Sequence, residues 1–115
     1  MSHAKRIPLP HLVAKWERIV REVEAGQLLT RDDYLNDLDL RHQIARRSRE
    51  HAFDRRHGLD VNATARLDAL DARFRAVTVD GAECVWGERN AREHGWTPAR
   101  EWYYYRVPRV KPAAW

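Results

Sequence analysis

The 115-residue chain is short of cysteine, lysine, glycine and long apolar stretches, and each shortage excludes something. A single cysteine, Cys84, permits no internal disulfide and points to a reducing compartment. It also leaves no zinc-ligand pattern. No apolar stretch approaches the length of a membrane span. Residues Met1 to Pro8 carry basic groups but no apolar core, so no secretory signal is expected, and the expected location is a bacterial-type cytoplasm. The five glycines are isolated, which excludes a glycine-rich phosphate loop.

What the chain does hold is enough for one compact domain, 1–115, with a modest core: 43% of its residues are hydrophobic, too many for wholesale disorder. Arginine is in excess. Only Lys5, Lys15 and Lys111 among the 21 basic residues are lysines, and the formal net charge is +4. Abundant alanine with scarce isoleucine and asparagine is the imprint of GC-rich coding, so the arginine surplus alone says little about a partner. Its placement says more. Residues 31–40 set Arg31 against Asp32, Asp33, Asp37 and Asp39, whereas 41–57 set six arginines against Glu50 and Asp54.

Hydrophobic spacing predicts three amphipathic helices. Leu12, Trp16, Ile19 and Val23 draw one stripe from His11, and Gly26 suits a left-handed helix stop. Thr30 with Asp33 reads as an N-cap with an acidic third position. The helix it opens has an unclean phase: Leu40 lies roughly 200° around from Leu38 at 100° per residue. This predicts a short helix at 31–37, a break, and a longer helix from about 40 to 56, closed by Gly58. Asp60 or Asn62 caps a third helix, in which Ala63, Leu67, Leu70, Phe74 and Val77 keep strict steps. Beside them, Ala65, Ala69, Ala72 and Ala76 would let a neighbour come close, and Asp71 would pair with Arg75 on the exposed side. An antiparallel pairing of the first and third helices is expected.

After Val77 the character changes. Asp80-Gly81 between Val77–Val79 and Ala82–Trp86 is a hairpin signal, although Thr78-Val79 also suits a last helical turn. Glu88 to His94 can form two helical turns closed by Gly95, and Thr97-Pro98 opens another turn. Trp102 to Val107 is β-type in composition, with Pro108 ending it. Seven of the eleven aromatics fall in 86–115. The expected fold is therefore mainly α, or α+β: an extended lead-in 1–10, a helical core 11–77, an aromatic-rich β or irregular element 78–107, and a loose tail 108–115.

Chemistry-bearing constellations are thin. The acidic run 31–39 lacks the glycine and terminal glutamate of a calcium loop and reads as helix capping. Cys84 has only His94 within ten residues and reads as a small strand hydrophobe. His51 with Asp54, or Glu50 with His57, could form acid–base pairs, but spacing implies no third group to orient them. No enzyme, metal or cofactor is expected. Two binding surfaces remain. An alternating strand would put Trp102, Tyr104 and Arg106 on one face and Tyr103, Tyr105 and Val107 on the other. Two bulky faces are hard to hide, so Trp96, Trp102, Tyr103, Tyr104, Tyr105 and Arg106 are read as a protein-binding set. This makes the chain a non-catalytic binder of the antitoxin, immunity, inhibitor or assembly-factor type, with a protein partner or a second copy of itself. The alternative is a nucleic-acid binder that sets Arg41, Arg46, Arg47, Arg49 and Arg56 on phosphates and stacks bases on 102–106.

Overall fold

A computed structural model describes residues 7–27, 30–50 and 59–110. It is mainly helical, with α1 (Leu9–Glu24), α2 (Arg31–Glu50), α3 (Val61–Ala76) and a short α4 (Glu88–His94). Two three-residue strands, β1 (Thr78–Asp80) and β2 (Arg106–Pro108), pair antiparallel, and a 3₁₀ turn at Trp102–Tyr105 leads into β2. Among the described residues no helix is long and apolar enough to cross a membrane.

Helix α1 starts at Leu9, two residues earlier than the spacing indicates, because Pro10 fits a first turn that needs no amide donor there. Leu9 is thus part of the core rather than of an extended lead-in. The expected stripe, Leu12, Trp16, Ile19 and Val23, is buried, and Gly26 takes a φ of 71° at the helix end. Thr30 Oγ1 accepts from the Asp33 amide at 3.0 Å, and Asp60 Oδ1 accepts from the Ala63 amide at 2.7 Å, so both caps form as expected.

Three expectations in the bundle fail. First, α2 is continuous, with no break at 38–39. Its inward stripe runs through Tyr34, Leu38, Arg41, His42 and Ile44, while Leu40 is only half-buried. The apparent phase jump came from counting Arg41 and His42 as outward. Second, α1 and α3 run parallel. Glu17 binds Arg66 at 2.6 Å and Glu24 binds Arg73 at 2.6 Å, a seven-residue advance on both helices in the same direction. With α2 continuous between them, α3 comes back parallel to α1. Third, Asp71 faces inward. It accepts from Trp16 Nε1 at 3.0 Å and takes a two-pronged bond from Arg41 at 3.0 and 2.8 Å, tying all three helices together. Arg75 instead lies over the Trp102 ring, 4.1 Å from its centre. The four alanines on α3 are exposed and open no close approach.

The hairpin around Asp80-Gly81 does not form either. Gly81 lacks the positive φ that such a turn needs, and its amide donates to the Tyr105 carbonyl at 2.7 Å. The partner of β1 is therefore β2, reached after an excursion through α4, in register Thr78 with Pro108 and Asp80 with Arg106. Residues 82–86 contain no strand, and Val85 and Trp86 form a turn. Trp102–Tyr105 winds as 3₁₀, which cancels the strand alternation and lets Tyr103 and Tyr104 both point inward.

Candidate functional site

The 3₁₀ winding decides the fate of the aromatic run. Tyr103 and Tyr104 are each 1% exposed and belong to the core. Trp102 is half-buried between Phe74, 6.2 Å away centre to centre, and the guanidinium of Arg75. The Tyr105 hydroxyl donates to the Trp96 carbonyl at 3.3 Å. Arg106 donates to Thr78 Oγ1, the Thr78 carbonyl, the Arg75 carbonyl and Asp80 Oδ1, all within 2.7–3.1 Å. It thereby fastens the end of α3 and β1 to β2 through a single side chain.

The basic set divides as well. Arg41 is buried, ion-paired to Asp71, with its guanidinium 5.3 Å from the Tyr103 ring centre and 5.7 Å from that of Trp102. Arg47 is half-buried and donates to the Ile7 carbonyl. Arg46 and Arg49 are exposed and form no hydrogen bond or ion pair among the described residues. Arg56, His51 and His57 lie outside the described residues.

Arg46 and Arg49 stand in the wall of a cleft of about 640 Å³ between α2, α4 and the turn at 96–101. Two helix faces build it. Asp39, His42, Arg46 and Arg49 follow 3-4-3 spacing on α2, and Asn90 and His94 are one turn apart on α4, with Trp86 one turn before them. The helical expectation for 88–94 holds, with Gly95 left-handed at a φ of 70°. Asn90 Nδ2 donates to the Trp86 carbonyl at 2.7 Å, fixing the approach to α4. Rings form the floor. His94 stacks on Trp96 at 4.5 Å and 14°, and Trp96 leans on Tyr104 at 4.7 Å. Arg100 completes the rim, held by Glu101 at 2.6 Å and by the Gly95 carbonyl at 2.8 Å. Glu101 is fully buried and also accepts from the Thr97 amide at 2.9 Å.

Compared with protein-family models, curated proteins and solved structures, the chain matches none. The reading rests on the cleft itself.

His42 sits at the back of the cleft, with Nδ1 2.7 Å from the Tyr103 hydroxyl. Burial holds its pKa below the ordinary histidine value. Asp39 and Glu101 pull the other way, and Arg46 and Arg49 add to the lowering. Burial likewise pushes the Tyr103 and Tyr104 phenols well above the usual tyrosine range, so neither supplies a phenolate near neutral pH. Cys84 is buried and its thiol is pushed up, mainly by burial. Among the described residues no three carboxylate, histidine or cysteine side chains stand together as metal ligands do. The arrangement can hold negative charge at one end and a flat ring at the other.

Sequence reasoning placed Trp96, Tyr104, Arg46 and Arg49 in binding sets and weighed His94 only beside Cys84, but it assigned no binding role to Asp39, His42, Trp86, Asn90, Arg100 or Glu101. Two polar stripes at helical spacing, 39-42-46-49 and 86-90-94, were the available signal. They were obscured because periodicity was followed through apolar residues alone.

Proposed function

We propose that this chain is a small non-catalytic binding protein of the cytoplasm that engages a negatively charged macromolecule at the α2–α4 cleft. One observation carries the reading: Arg46 and Arg49, without a partner among the described residues, share a cleft with a floor of rings. Arg41, Arg66, Arg73 and Arg106, by contrast, are held by the protein's own groups. Free guanidinium groups beside aromatic rings suit single-stranded nucleic acid, whose phosphates pair with arginine and whose bases stack. A protein partner is the second reading. Asp39 in the same wall favours it, because a peptide of mixed charge would suit both signs.

Fluorescence anisotropy of labelled single-stranded and duplex oligonucleotides at about 50 and 200 mM salt tests the choice. Each phosphate neutralised at the cleft adds about −0.7 to the logarithmic salt slope on a single strand. The double substitution Arg46→Glu with Arg49→Glu should abolish the binding. An oligonucleotide that binds the double variant as well as wild type excludes this cleft. No binding at low salt removes the nucleic-acid reading and leaves the protein partner.

A further inference from the structure

The cleft is polarised along α2 in a way that a strand-binding groove has no need to be. Asp39, an acceptor, stands at one end, and Arg46 and Arg49 stand at the other. Seven residues at 1.5 Å rise separate Asp39 from Arg46 by roughly 10 Å along the axis. Between them lie His42 at the back and the stacked pair His94–Trp96 on the facing wall. His94 is exposed and lines the cleft, with Trp96 stacked on one face of its ring. The volume, about 640 Å³, falls in the range of small-ligand sites.

We propose that the cleft holds one nucleoside monophosphate unit, either free or as a single residue of a strand. The phosphate lies on Arg46 and Arg49, the base stacks over His94, and Asp39 accepts from ribose hydroxyl or base amino groups. This rests on the cleft being the binding surface and names what fills it. Each half of the ligand answers one half of the site. Two unpaired guanidinium groups give phosphate charge-assisted bonds, and a ring already braced by Trp96 needs no ordering to receive a base. Neither half gives much affinity alone, because each would leave the other half of the cleft to water.

The test titrates the full chain with adenosine 5′-monophosphate, guanosine 5′-monophosphate, adenosine and inorganic phosphate at about 50 mM salt, a concentration at which phosphate contacts are little screened. Calorimetry and tryptophan fluorescence read the binding, since Trp86 and Trp96 line the cleft. At least one monophosphate should bind, and adenosine or phosphate alone should bind tenfold or more weakly. Arg46→Ala and Arg49→Ala should each cost about tenfold, and His94→Ala severalfold. All three side chains are exposed, so the fold survives these changes. The bound monophosphate should displace a labelled single strand. Phosphate binding as tightly as the monophosphates overturns the proposal, as does a monophosphate whose affinity ignores all three variants. If oligonucleotides bind through Arg46 and Arg49 but no monophosphate competes, the one-nucleotide proposal falls while the cleft stands. If neither binds, both fall.

Discussion

The bundle α1–α3 and the segment 78–110 are held together by opposite means. In the bundle the helical backbone satisfies its own hydrogen bonds, so side chains are free to join one helix to another, by apolar contact across periodic faces and by polar ties such as Asp71 with Trp16 and Arg41. The C-terminal segment has six residues of sheet, two turns of α4 and one 3₁₀ turn, so much of its backbone lacks ladder partners. Side chains supply them. Arg31 donates to the Val85 carbonyl, Tyr34 to the Arg106 carbonyl at 2.7 Å, Tyr105 to that of Trp96, and Arg100 to that of Gly95. An irregular segment needs long polar side chains to satisfy its carbonyls, because buried backbone groups must be paired. Its wealth of Arg and Tyr, which in sequence looks like an adhesive surface, is largely internal scaffolding.

Phe74 joins the two regions, and its loss should have the largest effect. Its ring lies 5.0 Å from Trp16, 6.4 Å from Tyr34 and 6.2 Å from Trp102, centre to centre. Phe74→Ala should cost about 3–5 kcal/mol, a large part of the roughly 5–15 kcal/mol that stabilises a domain. Urea unfolding followed by helical circular dichroism and by tryptophan fluorescence checks it. Coincident transitions make the two regions one cooperative unit, and separated transitions break them apart.

Arg106→Lys sharpens the contrast with a smaller loss. One ammonium cannot serve the four acceptors that the guanidinium reaches, and about 2 kcal/mol should be lost, the scale of a hydrogen bond involving a charged group. Hydrogen exchange should speed up at Val79 and Val107 while α1 amides keep their protection. If α1 loosens equally, the sheet is not a separate layer of stability.

This contrast also sets what the sequence could reveal. The α1 and α3 stripes, both caps and α4 were legible, because helix spacing and capping are local rules. The parallel sense of α1 and α3 was not, since it depends on α2 running unbroken between them. Arg41 and His42 misled the reading of α2, because a cation enters a core only when a partner waits there. Those partners, Asp71 and Tyr103, stand 30 and 61 residues away. Trp102–Tyr105 misled in the same way: strand-type composition was overruled by a 3₁₀ turn that buries two consecutive tyrosines. The cleft was half visible, through Arg46 and Arg49. Its other wall needed the hairpin to be replaced by the long return from β1 to β2.

Asp37 gives the smallest and most specific test, because it is a half-buried bundle residue that borrows nothing from the C-terminal segment. It makes no hydrogen bond among the described residues. Burial, with Glu22 and Asp33 nearby, pushes its carboxyl up to about 6, and Arg18 offsets this only in part. A carboxyl whose pKa rises on folding binds more protons in the native state than in the unfolded chain. Stability from this group therefore falls as pH climbs from about 4 through about 6, and the full cost stands above that. Discounted for its partial exposure, the cost is about 1 kcal/mol. Asp37→Asn should raise the melting temperature by about 4 °C at pH 8 and leave it unchanged at pH 4. Taking the difference between variant and wild type at each pH cancels the contributions of His42 and the other titrating groups. An equal gain at both ends of the range would mean that packing at this site, rather than the buried charge, sets the effect.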